Sequence, residues 1–208
     1  MSNTERRGVA RKTEIEERSD GSLVLTGYAA VFYRDGDEST QFRLWPGAVE
    51  RVTPGAFSRT LKEGRSVALF NHDDNHVLGA PSAGTARVEE TDIGLRYEID
   101  LDPEDPFDRR LAKRVQRGDI SGSSFGFIDQ DRSWDRGGSE EVRHLVNVDL
   151  IDFGPVTYPA YSGTTTEVAQ RSRADWDAER QAADQRIREA LGRQFRLARL
   201  RGNRVANE

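Results

Sequence analysis

The sequence predicts a β-rich α+β protein, in which a barrel or sandwich of short strands is followed by a helical tail. Many short runs alternate apolar with polar residues, which is the period of a β-strand. Clusters of glycine, serine and aspartate separate these runs, and only two segments before the tail have helical spacing. At 208 residues the chain fits one domain of common size with an appendage.

The sequence near the N-terminus predicts a β-hairpin that follows a disordered segment. Residues 1–9 show no strand or helix pattern and are predicted to be disordered. An alternating stretch at 10–17 and an apolar run at 23–32 flank a turn sequence at 19–22, which favours a β-hairpin. Short strands are expected next at 41–45, 49–52 and 67–70.

Two segments of the body predict helices. The first starts at Thr53, an N-cap residue followed by Pro54, and ends at Gly64. The second covers 105–117 and has acidic residues at its start and basic residues at its end, as the helix dipole prefers. Its apolar residues are spaced by four and predict one buried stripe, made of Phe107, Leu111 and Val115.

Four further strands complete the body, at 85–89, 95–101, 120–129 and 142–157. The composition changes after residue 162. We therefore predict a main domain at 10–162, a linker at 163–172 and a basic helical tail at 173–208. The apolar stripe of the tail is narrow, which suits a coiled coil or docking onto a partner better than deep burial.

The composition excludes several classes of site. The chain has no cysteine, which excludes thiol catalysis, disulfides and cysteine-ligated metal sites, and which fits a reducing compartment. No apolar run is long enough to span a bilayer, and the first residues lack the apolar segment of a signal peptide. We therefore expect an intracellular protein that is not membrane-bound.

Charge is unevenly distributed along the chain. Residues 171–208 carry ten arginines against six acidic residues, whereas residues 1–170 carry 21 basic against 30 acidic residues. An acidic body argues against nucleic-acid binding by the main domain. The basic tail suits a nucleic acid or an acidic protein partner.

A strand rich in serine and glycine, at 121–127, is the first candidate for chemistry. Alternate side chains along a strand share a face. Ser123 shares its face with two phenylalanines of the predicted core, whereas Ser124 lies beside Gly122 and Gly126, which would leave room for a substrate. Ser124 is therefore the better candidate nucleophile, although a serine in such a strand can also have no chemical role.

The chain offers only three histidines for a histidine-based mechanism. His72 follows the end of an apolar strand, where sites are common, and is a candidate general base. His72, Asp74 and His76 could instead be metal ligands, but the intervening sequence favours a turn and not the helix that this spacing needs. His144 lies in a predicted strand, and this position favours a structural role.

A catalytic serine and histidine need a third group that orients the imidazole. Asp149 and Asp152 lie in an apolar strand, where a carboxylate is costly to bury unless it is paired. Pairing with a histidine would offset that cost, and salt bridges to arginine would do so too.

Five short motifs follow one another along the chain. They are Gly-Tyr-Ala-Ala-Val-Phe at 27–32, Pro-Gly-Ala-Phe at 54–57, Asn-His-Asp at 71–73 with Leu-Gly at 78–79, Ser-Gly-Ser-Ser-Phe-Gly-Phe at 121–127 and Val-Thr-Tyr-Pro-Ala-Tyr at 156–161. In this order they resemble the prohead (capsid maturation) serine protease family of tailed bacteriophages, which is related to the herpesvirus assemblins. The resemblance covers residues 10–165.

This resemblance implies a serine endopeptidase that acts inside the immature procapsid, in the host cytoplasm. Its substrates would be scaffold, or the scaffold-like segment of the major capsid protein, and commonly the protease itself. The implied fold is an assemblin-like β-barrel flanked by helices, and we expect self-association and no cofactor or metal.

The same motifs assign roles to three residues. Ser124 precedes Phe-Gly-Phe and matches the nucleophile, His72 in Asn-His-Asp matches the general base, and Asp152 matches the orienting acid. His144 stays an alternative third member, because the herpesvirus relatives use a second histidine. No residue is assigned to the oxyanion hole.

Two other functions compete with this interpretation. One is a non-enzymatic capsid assembly or scaffold protein with a protease-like fold. The other is a metal-dependent hydrolase that uses His72, Asp74 and His76.

Overall fold

The computed structural model describes residues 4–159, 170, 172–189 and 193. The chain divides into two compact units, Met1–Val168 and Ala169–Glu208. Residues 170, 172–189 and 193 of the second unit are helical, whereas most of the predicted linker at 163–172 lies outside the described residues. No helix in the described ranges is both long and apolar enough to cross a membrane.

The body contains eleven strands and two α-helices within its described residues. In chain order these are β1 (Glu5–Val9), β2 (Glu14–Glu17), β3 (Leu23–Val31), β4 (Phe42–Trp45), β5 (Ala48–Val52), α1 (Ser58–Glu63), β6 (Val67–Leu69), β7 (Val77–Gly79), β8 (Ala86–Glu90), β9 (Gly94–Leu101), α2 (Pro106–Arg117), β10 (Gly122–Asp135) and β11 (Glu141–Val156). Short 3₁₀ turns lie at Glu38–Thr40 and Pro81–Ala83.

The strands form two sheets. The larger has the order β1-β10-β11-β5-β4, with β6 pairing to β11 and β7 to β6, and the smaller has the order β2-β3-β9-β8. The β10–β11 hairpin is antiparallel, whereas β5 and β6 both run parallel to β11. The β-rich α+β prediction is confirmed. A closed barrel is not confirmed, because the described strands form two sheets with free edges.

A shared hydrophobic core joins the two sheets. Tyr97 of the smaller sheet packs against Phe153 of the larger one, with ring centroids 5.7 Å apart. Phe125 and Phe127 are fully buried in this core, as predicted. Because successive side chains of a strand point to opposite faces, these two phenylalanines direct Ser124 to the other face of β10.

The predicted disorder of residues 1–9 is wrong for residues 5–9, which form β1 along the edge of β10. Glu5 and Arg7 point inward and are fully buried with Glu50 of β5 and Arg143 of β11. Both arginines donate hydrogen bonds to both glutamates, at 2.5–2.8 Å, so each charge is compensated. Burial raises the pKa of Glu5, but Arg143 and Arg7 lower that pKa more strongly, and it lies below its usual value.

The first helix begins later than predicted. The Thr53 hydroxyl donates to the Leu145 carbonyl at 2.7 Å and does not cap the helix. The free N–H of Phe57 is satisfied by the Glu90 carboxylate, at 3.0 Å. The helix ends at Gly64, which has a left-handed φ of 63°, as predicted.

The second helix follows its prediction closely. Asp105 is the N-cap and accepts the Phe107 N–H, and Gly118 ends the helix with a φ of 84°. Leu111 and Val115 of the predicted stripe are buried, whereas Phe107 is partly buried against the core.

Candidate active site

His72 lies in the turn between β6 and β7. Strand β6 runs parallel to β11, with Val67 beside Asp152, so the chain leaves the sheet close to that carboxylate. Asn71 and His72 then adopt left-handed backbone conformations, with φ of 55° and 56°. The Asn71 N–H donates to the Pro155 carbonyl at 3.1 Å, which holds the turn against the end of β11.

Ser124 and Asp152 lie on neighbouring strands of the same sheet. Ser124 on β10 pairs with Gly8 of β1 and Gly154 of β11, and Asp152 on β11 pairs with Gly126 of β10. Both side chains are almost completely buried. The hairpin thus fixes the hydroxyl and the carboxylate two register positions apart.

The structure brings His72, Ser124 and Asp152 into one hydrogen-bonded chain. The Nε2 atom of His72 lies 2.7 Å from the Ser124 Oγ atom, and its Nδ1 atom forms a hydrogen bond with Asp152 Oδ1. A carboxylate accepts, so Nδ1 carries the hydrogen and Nε2 presents a lone pair to the hydroxyl. The imidazole is 11% exposed, so water is largely excluded from these contacts.

The Ser124 hydroxyl has a second neighbour. Its Oγ atom also lies 2.8 Å from the main-chain carbonyl oxygen of Arg7 in β1. The single hydroxyl hydrogen can point to only one of the two acceptors, and transfer of the proton to His72 requires that it point to Nε2. Sequence reasoning missed this contact, because it treated β1 as disordered.

The space beside Ser124 differs from the prediction. A Cβ atom added to Gly126 would lie 2.2 Å from Asp152 Oδ2, and one added to Gly122 would lie 2.6 Å from the Pro159 ring. The two glycines therefore accommodate the carboxylate and the proline, and the expectation that they leave open space is wrong.

A cavity of about 310 Å³ opens next to the serine. It is shared by residues of β1, of the His72 turn, of β10 and of the end of β11. Its lining consists of Arg6, Gly8, Asn71, His72, Ser124, Val156, Thr157 and Tyr158. An extended peptide could therefore reach Ser124 from this side.

Ser123 does not share this environment. It is fully buried, and its hydroxyl bonds to the Tyr97 hydroxyl at 2.8 Å and to the Thr13 hydroxyl at 3.1 Å. Burial raises the pKa of Tyr97 to about 12, although the Ser123 and Thr13 hydroxyls lower it. This network is neutral and joins the two sheets, and of the serines in the motif it is Ser124 that lines the cavity with His72.

The alternative metal ligands do not come together. His72 is bonded to Asp152, whereas the His76 Nδ1 atom lies 2.9 Å from Asp73 and its ring stacks on Phe107 at 4.6 Å. Across the described part of the chain, no three residues among histidine, aspartate and glutamate form a group that could hold a metal ion.

His144 lies away from the serine. It pairs with Ser133 of β10, nine residues from Ser124, which corresponds to roughly 30 Å along a strand. Burial and the nearby Arg51 cation lower the pKa of His144. The third position next to His72 is occupied by Asp152.

Comparison with known families adds an independent finding. The sequence model of one family, described as caudovirus prohead serine protease, matches residues 10–179. The match includes the three residues in contact and extends beyond the predicted domain end at residue 162. No curated protein and no solved structure matches the chain significantly.

Proposed function

The chain belongs to the caudovirus prohead serine protease family, and from this premise we propose that it is a serine endopeptidase with Ser124 as nucleophile. In this proposal His72 is the general base and Asp152 is the orienting acid. The observation that carries the proposal is the 2.7 Å contact between His72 Nε2 and Ser124 Oγ, with Asp152 bonded to the other ring nitrogen.

Acylation follows from this arrangement. His72 Nε2 takes the hydroxyl proton as Ser124 Oγ bonds to the scissile carbonyl carbon, and the carbonyl π electrons move to the oxygen. The intermediate then collapses, the carbon–nitrogen bond breaks, and the proton on Nε2 passes to the leaving amine. Asp152 keeps its hydrogen bond to Nδ1 and stabilises the imidazolium.

Deacylation repeats the cycle with water. His72 removes a proton from water as the oxygen attacks the acyl carbon, and returns it to Ser124 Oγ when the ester bond breaks. The products are a carboxylic acid, which releases its proton to solvent, and the regenerated serine. Groups that act as such a unit are strongly non-additive, so loss of Ser124 alone should cost several orders of magnitude in rate.

Capsid proteins are the substrates that the family implies in general. We propose that this chain cleaves scaffold, or the scaffold-like segment of the major capsid protein, and also itself, inside the procapsid in the host cytoplasm. Self-association would bring enzyme and substrate copies together there. The relation to the herpesvirus assemblins, including a barrel-like fold, stays a prediction.

Co-expression with the major capsid protein tests this function. Intact-mass spectrometry should find truncated capsid protein with the wild type and full-length protein with Ser124→Ala. Ser133→Ala is the matched control, because Ser133 is an exposed serine on the same strand, and it should cleave as the wild type does. Identical cleavage with Ser124→Ala and the wild type would contradict the proposal. Absence of cleavage in all three would favour the non-enzymatic assembly function.

We also propose that the basic tail docks on scaffold or capsid protein. The charge contrast between tail and body and the narrow apolar stripe support this role. A chain truncated after Val168, the end of the first compact unit, should keep peptidase activity but lose incorporation into proheads. Unchanged incorporation in purified proheads would remove the idea.

A further inference from the structure

The side chain of Asn71 connects the His72 turn to the segment that follows β11. Its Oδ1 atom accepts the main-chain N–H of Thr157 at 2.8 Å, and its Nδ2 atom faces the Thr157 hydroxyl at 3.2 Å. Because only the oxygen of a carboxamide can accept from an N–H, the first contact fixes the orientation of the amide. One side chain thus makes two bonds to a residue 86 positions away.

The backbone of this turn is unusual. Asn71 and His72 are the only non-glycine residues with positive φ in the described ranges. Asparagine tolerates this conformation better than most residues, but two in succession persist only where the surroundings hold them. The Asn71 side chain and its main-chain bond to Pro155 are such restraints. Both join the turn to the end of β11.

The segment held by Asn71 forms part of the cavity wall beside Ser124. Thr157 and Tyr158 line that cavity, and the Thr157 N–H is already bonded to Asn71. The Tyr158 N–H has no hydrogen-bond partner within the described residues, and Pro159 has no N–H. Tyr158 therefore supplies the one uncommitted main-chain donor of this short segment.

Attack by Ser124 turns the scissile carbonyl oxygen into an oxyanion, which needs a fixed hydrogen-bond donor nearby. We propose that Asn71 is a positioning residue, which fixes the main chain at Thr157 against the His72 turn and so presents the Tyr158 N–H to that oxyanion. The inference rests on the proposed function, because it concerns the same reaction. It adds the Tyr158 N–H as an oxyanion donor, for which the sequence alone assigns no residue.

The test uses the full-length protein and a fluorophosphonate probe, which phosphonylates an active serine whatever the peptide specificity. Asn71→Gly removes the side chain without straining the left-handed backbone. Its labelling rate should fall about 10²-fold, the loss typical of one oxyanion donor. The pH midpoint of the rate should stay that of the wild type, because the main-chain bond of residue 71 to Pro155 still holds the His72 turn.

Asn71→Asp is the rescue variant. Its carboxylate can accept both the N–H and the hydroxyl of Thr157, so the connection is retained and the rate should recover at least tenfold over the glycine variant. Asn75→Ala is the control, because Asn75 is an exposed asparagine of the same turn, and it should label as the wild type does.

Three results would overturn the inference. They are a rate within threefold of the wild type for Asn71→Gly, a shifted pH midpoint for that variant, and no recovery in Asn71→Asp. The last would indicate that the Nδ2 atom itself contacts the oxyanion. If Ser124→Ala is labelled as fast as the wild type, the proposed function fails instead, and the inference falls with it.

Discussion

Substitution of Gly126 by alanine should lower the reactivity of Ser124, because Gly126 lies directly opposite Asp152 on the paired strands β10 and β11. The added Cβ atom would lie 2.2 Å from Asp152 Oδ2, so the carboxylate must move by about 1 Å or more to reach ordinary contact distance. That movement would disturb the hydrogen bond between Asp152 Oδ1 and His72 Nδ1. A misplacement of about 1 Å costs on the order of 10²-fold in rate, and loss of the orienting group costs about 10⁴-fold. We expect a loss between these limits.

Fluorophosphonate labelling of the purified variant measures this loss directly. Gly138→Ala is the matched control, because its Cβ atom would meet nothing closer than 3.8 Å, and it should label at the wild-type rate. Circular dichroism shows whether Gly126→Ala is folded. A folded Gly126→Ala protein that labels within threefold of the wild type would refute the role given to Asp152.

Three further predictions concern other groups. Asp152→Asn should lower the labelling rate by about 10⁴-fold, because an amide no longer favours the Nδ1–H tautomer of His72; a loss below tenfold would argue against this acid. Glu50→Gln removes one charge from the fully buried ion network and should lower the free energy of unfolding by about 3 kcal/mol, measured by urea denaturation; an unchanged value would contradict the paired network. His144 should titrate below its usual pKa of 6.5 by NMR. Because the folded protein then binds fewer protons than the unfolded chain, His144 should lower stability as the pH falls below 6.5; titration above 6.5 would contradict its burial.

Local patterns predicted much of the fold and the difference between the two serines. Alternation along β10 separates Ser123, which is buried in a neutral hydroxyl network, from Ser124, which lines the cavity. The span of α2 and the glycine that ends α1 were also predictable, because they depend on neighbouring residues alone.

Contacts between distant residues were not predictable in this way. The sequence of β1 contains charged residues at positions that would normally face water. They are buried only because Glu50 and Arg143, on two other strands, pair with them. When the order of the strands in the sheet is unknown, the charged residues Glu5 and Arg7 suggest a terminus that is exposed to solvent.

The glycines beside Ser124 could not be interpreted from the sequence alone either. The sequence shows that no side chain occupies the space at Gly126, but not what fills it. The structure fills it with Asp152 Oδ2, where the sequence suggested substrate. The contact between Asn71 and Thr157 was hidden for the same reason, because nothing near either residue indicates the other.

Mapping of the labelled residue tests the central claim most directly. The wild type is treated with a fluorophosphonate, digested and analysed by tandem mass spectrometry. We predict a single adduct on Ser124, which is absent from Ser124→Ala and strongly reduced in His72→Ala. An adduct on another residue, or undiminished labelling of Ser124→Ala, would contradict the assignment of Ser124 as the nucleophile.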